Sequence, residues 1–147
     1  MPYRNVVVGT DGSETATEAV RHAAELAASS GARLTVVTAF TPKNPAVPDL
    51  EEVPEEIKWR ITESAHADEV AGGACRLAKE LGVKDARVRS AKGDPAEALI
   101  EVAEDTGGDV IVVGSKGMAG AGRILGSVPN TVSHHAPCDV LIVATAR

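Results

Sequence analysis

Aromatic side chains are nearly missing from this 147-residue chain, which holds one Trp, one Tyr and one Phe, 2% of the total. The core must therefore be built from Val, Ile, Leu and Ala. Base-stacking platforms for single-stranded nucleic acid have no material to work with. Positive charge is also in short supply, with a formal net charge of -6, which argues against a binder of phosphate backbones. No apolar run approaches the roughly 20 residues that span a bilayer. The start, MPYRNVVVGTDGS, has an acid by position 11 and too short an apolar stretch for a signal peptide. Cys75 and Cys138 share no metal-like spacing and outline no disulfide framework. These absences leave a cytoplasmic protein with no nucleic-acid or membrane partner as the expectation.

What is present is an alternation of short β-branched runs and longer amphipathic ones. Asn5–Gly9 (NVVVG) reads as a strand buried on both faces. A turn over Thr10–Ser13 leads to a helix capped by Ser13 or Thr15, with Thr15 and Glu18 spaced as a capping box. Its Ala and Val residues recur at helical spacing until Gly31. Arg33–Phe40 is a second strand, and Thr41–Pro54 a loop with four prolines. A long helix follows over about Glu55–Leu81, interrupted in composition by Gly72 and Gly73. Ala86–Ala91 is more polar, as suits an edge strand. Asp94, Pro95 and Glu97 mark a helix start by cap, N1 proline and N3 acid. Val110–Val113 and Asp139–Ala144 are the fourth and fifth strands. The pattern predicts one α/β domain over residues 1–147, an open five-stranded parallel sheet with helices on both faces, Rossmann-like.

In such sheets ligands bind beyond the carboxyl ends of the strands, where the winding reverses. The first and fourth strands are expected to meet there. The segment after the fourth strand, GSKGMAGAGRILGSVPN, has glycines at 114, 117, 120, 122 and 126 and then a helix start. Strand, glycine loop and helix N-terminus in that order suit phosphate, because backbone N–H groups approach the anion closely. It is neither a Walker A sequence nor GxGxxG, since Leu125 stands where a third glycine is required. Lys116 and Arg123 read equally as phosphate partners or solvated loop cations, and Ser115 as a phosphate contact, a phosphorylation site or a turn residue. His134 and His135 are adjacent and point apart on a helix, so a metal site is not expected. His22 and His66 read as surface residues, Cys75 and Cys138 as core, and Trp59 as packing for the long helix. No GxSxG elbow is present, because Val-Pro-Asn follows Ser127.

Gly114-x2-Gly117 followed by Gly126-Ser127, together with VVVGTDGS, GDPAEAL and SHHAPCDVLIV, resembles the universal stress protein family over essentially the whole chain. The interval from Gly117 to Gly126 is one residue shorter than the family's ATP-binding pattern, which favours a smaller anion. The resemblance implies a sensor or regulator in stress response that binds an adenine nucleotide, ATP with Mg²⁺, with cyclic AMP as the alternative ligand. It implies a site made of Asp11 at the ribose and metal–phosphate region and the Ala39 backbone at adenine. Val113, Gly114 and Gly117 would lie against ribose and phosphates, and Gly126, Ser127 and Val128 would hold the phosphates, with Gly9 and Thr10 in the same wall. It also implies a homodimer through the strand at 139–144, with slow ATP turnover or self-phosphorylation as family themes. A dimeric interaction module without nucleotide is a further alternative.

Overall fold

The computed structural model describes residues 3–40, 55–115 and 127–145, and of Phe40 and residues 55–66 the backbone only. The prolines at 41–54, the loop cations Lys116 and Arg123, Gly117 and Gly126, and the side chains of Trp59 and His66 lie outside the described residues. Nine elements alternate: β1 Asn5–Gly9, α1 Glu14–Ser30, β2 Arg33–Phe40, α2 Glu55–Glu80, β3 Ala86–Lys92, α3 Pro95–Thr106, β4 Val110–Gly114, α4 Ser127–His135 and β5 Asp139–Val143. The strands form one parallel sheet in the order β3-β2-β1-β4-β5. Winding runs outward from β1 to β3, then resumes beside β1 at β4. The reversal therefore falls between β1 and β4, as expected, and β3 and β5 are the edges.

The period of two along each strand divides the core into two layers. Val6 and Val8 of β1, with Leu34, Val36, Val110 and Val112, pack under α1 and α2. Val7, with Val37, Ile111 and Val113, faces α3 and α4. All three valines of β1 are fully buried, each contributing about 1.5–3 kcal/mol. Ala19, Ala23, Ala24 and Ala27 form the buried stripe of α1, and their small side chains let that helix lie close on the sheet. Ahead of β4, the chain needs a glycine for space. A Cβ at Gly108 would stand 2.8 Å from Val7 Cγ2 and 3.3 Å from the Ala103 backbone.

Helix ends follow local chemistry. Asp94 caps α3 by accepting from the Glu97 N–H at 3.1 Å, with Pro95 in the first turn. For α1 the capping box at Thr15 and Glu18 does not form. Ser13 is the cap, its Oγ accepting from the Ala16 N–H at 3.2 Å, and Glu18 pairs with His22 one turn on. The helix begins two residues earlier because Asp11 Oδ1 accepts from the Ser13 N–H at 2.9 Å and holds Ser13 in capping geometry. Helix α2 runs unbroken through Gly72 and Gly73. Ala74, Leu77 and Ala78 pack it onto the sheet on the C-terminal side of that pair, which offsets the roughly 1 kcal/mol that each glycine costs. Strand β3 is one residue longer than expected and β5 one shorter. Cys75 is half-buried, not core, and its thiol donates to the Ala86 carbonyl at 3.5 Å. Cys138 is also half-buried, against the α3–α4 layer.

The amino-terminal end of the sheet is tied by a polar network. Asn5, 4% exposed, donates to Thr106 Oγ1 at 3.0 Å and accepts from Thr35 Oγ1 at 3.0 Å. Asp109 Oδ2 accepts from the N–H groups of Arg4 and Asn5 at 2.6 and 3.0 Å, joining the start of β1 to that of β4. Tyr3 reaches across to β5, its hydroxyl donating to Asp139 Oδ2 at 2.9 Å. That bond, then burial and the negative charges of Asp139 and Asp109, push the phenol above its ordinary pKa.

Candidate functional site

At the opposite end, where β1 and β4 part, lies a cleft of about 300 Å³. Its floor is apolar. Leu99 rises from α3, Val37 and Ala39 come from β2, and Val113 comes from β4. Gly9 makes room for that floor, since a Cβ there would stand 3.2 Å from Leu99 Cδ2. One wall is the β1–α1 turn with the first turns of α1: Thr10, Asp11, Ser13, Thr15 and Ala16. The turn is fixed by the Thr10 N–H on the Val37 carbonyl and the Gly12 N–H on Thr10 Oγ1, both 3.0 Å. Gly12 sits at φ 87°, a left-handed conformation that a larger residue adopts only with strain.

The facing wall is Gly114, the start of α4 at Val128 and Pro129, and Thr145 just past β5. Beyond Val143 the chain leaves the ladder, because the Thr145 N–H turns to Ser115 Oγ at 3.2 Å while the Ser115 N–H holds the Val143 carbonyl at 2.8 Å. Ser115 thus has a turn role. Thr145 is drawn over Gly114 so closely that a Cβ on Gly114 would lie 3.0 Å from Thr145 Oγ1.

Of the residues expected in a site, Gly9, Thr10, Asp11, Ala39, Val113, Gly114 and Val128 line this one cleft. Ser127 opens α4 but is exposed and outside the lining. Sequence reasoning missed Pro95, Leu99, Pro129 and Thr145. The start of α3 was legible as a cap, and its place beneath β1 arises only from the crossover.

Chemically the cleft is an apolar slot rimmed by hydroxyls, with one carboxylate. Among the described residues Asp11 is the only charged group in the lining, and no Lys, Arg, His or Cys joins it. No cluster of three metal-ligating side chains occurs among them either. Cys138 lies apart from the cleft, its thiol raised in pKa by burial and then by Asp139 and Asp109. No helix among the described residues is long and apolar enough to cross a membrane.

Comparison with known proteins agrees over the whole length. The model of the "Universal stress protein family" matches residues 2–144. The universal stress protein Rv1636 of Mycobacterium tuberculosis (strain H37Rv) is 38% identical over 144 residues, 97% of each chain. A putative universal stress protein of Staphylococcus aureus (strain USA300) is 32% identical, over 97% of this chain and 85% of its own. Among solved structures, a universal stress protein in complex with cAMP superposes with a TM-score of 0.76 at 36% identity, covering 99% of this chain and 100% of that one.

Proposed function

The chain belongs to the universal stress protein family, and we propose that its cleft binds an adenine nucleotide, making the protein a cytoplasmic sensor or regulator in stress response. The observation that carries this reading is the position and lining of the cleft. It lies beyond the carboxyl ends of β1 and β4, at the reversal of winding, where open parallel sheets bind ligands. Adenine is assigned to the slot between Ala39 and Leu99, the ribose to Asp11, and the phosphate to the side of Gly114 and Val128. Gly117, Gly126 and Ser127 complete the phosphate side in this reading.

ATP with Mg²⁺ is the ligand that the sequence motif suggests. Asp11 offers the single carboxylate that Mg²⁺ needs when most of its other ligands are phosphate oxygens and water, so the metal would arrive with the nucleotide. Cyclic AMP is the second reading, and the 36% identical relative solved in complex with cAMP supports it. The test is calorimetric titration of nucleotide-stripped protein with ATP–Mg²⁺ and, separately, cyclic AMP, beside the Asp11→Ala variant. Binding of either, weakened in the variant, is the expected result. Silence with both ligands refutes the reading and leaves a dimeric interaction module.

The same proposal includes a single domain over residues 1–147 and a homodimer paired through β5. That strand is an open edge, and its Leu141 is 41% exposed, an arrangement that invites strand pairing with a second copy. Any turnover of ATP would be slow.

A further inference from the structure

We propose that Val70 of α2 is a positioning residue for the nucleotide cleft, standing behind the β1–α1 turn and holding it forward against the ligand; this rests on the nucleotide reading above. The turn is the cleft wall that carries Thr10, Asp11 and Ser13. Its internal bonds, the Gly12 N–H on Thr10 Oγ1 at 3.0 Å and the Ser13 N–H on Asp11 Oδ1 at 2.9 Å, fix its shape. The Thr10 N–H on the Val37 carbonyl anchors its first residue to β2. Its middle, Gly12, meets α2 instead. A Cβ on Gly12 would lie 3.1 Å from Val70 Cγ2 and 3.5 Å from Cγ1. At φ 87° and without a side chain, Gly12 lets the Val70 methyls press on the backbone of the turn itself. Val70 has a firm base to press from, because Ala74, Leu77 and Ala78 seat the same helix on the sheet.

Behind the turn there is room for it to move. A second cavity, about 320 Å³, opens between α1 and α2, with Thr10 and Gly12 on the turn side and Val70 and Gly73 on the α2 side. Thr10 lines both spaces, so a turn that settles toward the rear cavity withdraws from the cleft. Val70 stands in the way of that movement. Truncating it to Ala removes the two methyls that face Gly12 and enlarges the rear space. The turn then spends part of its time set back, and apparent affinity falls by the fraction of molecules that keep it forward.

The test combines calorimetric titration with ATP–Mg²⁺ and with cyclic AMP and amide hydrogen exchange of the ligand-free protein. It compares the natural chain with Val70→Ala, Val70→Ile and Leu77→Ala, each checked for folding by circular dichroism. Val70→Ala is expected to weaken nucleotide binding by about fivefold and to speed exchange of the Gly12 and Ser13 amides by a similar factor. Val70→Ile, which keeps both branches at Cβ, is expected to bind within about twofold of the natural protein. Leu77→Ala removes packing on the sheet, so it is expected to lower the melting midpoint yet leave both affinity and the turn amides unchanged. Natural affinity in Val70→Ala, or turn amides that exchange at the natural rate, overturns the inference and leaves the nucleotide reading intact. A loss of affinity in Leu77→Ala equal to that in Val70→Ala overturns it as well, since any loosening of α2 would then suffice. A natural protein that binds neither ligand removes the nucleotide reading and the inference with it.

Discussion

Replacing Asn5 by Ala separates what holds the sheet together from what the cleft does. Asn5 sits at the start of β1, and Gly9 at its other end lines the cleft, about 13 Å away at strand rise. Truncation removes the acceptor of the Thr35 hydroxyl, which is 1% exposed, and the donor to Thr106. Each neutral hydrogen bond contributes about 0.5–1.5 kcal/mol, and an orphaned buried hydroxyl costs about 1–3 kcal/mol. Together these give a loss of about 3 kcal/mol. Unfolding entropy of roughly 2.1 cal/mol/K per residue converts that to a fall in melting midpoint of about 10 °C for a chain of 147 residues. Urea unfolding followed by circular dichroism measures the loss. Thr35→Val and the double variant complete a cycle. Removing both partners leaves no orphan, so the double variant is expected to be more stable than the sum of the singles by about 1–2 kcal/mol. Nucleotide affinity at a temperature where the variant is folded is expected to stay within about twofold. A loss below 0.5 kcal/mol, or strict additivity in the cycle, refutes the account of this network.

Gly114→Val is expected to abolish nucleotide binding in calorimetry while the fold survives by circular dichroism, since even a Cβ meets Thr145 Oγ1 at 3.0 Å and the added methyls fill the cleft. Intact binding would move the site elsewhere. Leu141→Pro in the exposed edge strand removes one N–H from the ladder. Sedimentation is expected to show monomer or aggregate, and an unchanged dimer excludes pairing through β5. For Tyr3 the folded pKa is raised, so the folded state holds the phenolic proton more tightly than the unfolded chain. Its contribution is complete below the unfolded value near 10 and is lost as pH rises through the folded value. Tyr3→Phe is expected to flatten that alkaline loss in unfolding curves, and an identical pH profile would refute the link to Asp139.

The sheet was legible because its central strands are continuous valine runs with no competing period: NVVVG and VIVVG admit little but strands buried on both faces. The polar run ARVRSA at 86–91 equally announced an edge. The cap of α1 was not settled, since Ser13 and Thr15 both qualify and the choice is made by Asp11 gripping the Ser13 amide. Asn5 read as the first residue of an apolar run, because its partners at Thr35 and Thr106 are brought to it only by the crossovers. The cleft follows the same division. Asp11 and Gly114 end strands next to the reversal, so topology alone puts them there. Leu99, Pro95 and Thr145 arrive from α3 and from beyond β5, through packing that no local pattern encodes.

The two ends of the sheet differ in how their polar groups are used, and that difference explains why one end is available for a ligand. At the amino-terminal end, Asn5 and Asp109 bond at the start of β1, Asn5 also donates to Thr106, and Thr106 donates in turn to the Val102 carbonyl of α3. The strands are sealed together there. At the carboxyl end β1 and β4 diverge, because β1 feeds α1 on one face and β4 leads toward α4 on the other. Gly9 and Gly114 add no side chain to fill the gap, and the hydroxyls of Thr10, Ser13 and Thr15 stand at its rim. A seal below and a gap above follow from one arrangement: parallel strands whose helices leave in opposite directions. The fold is thus held at the end remote from the cleft, which frees the residues around the cleft to be chosen for the ligand.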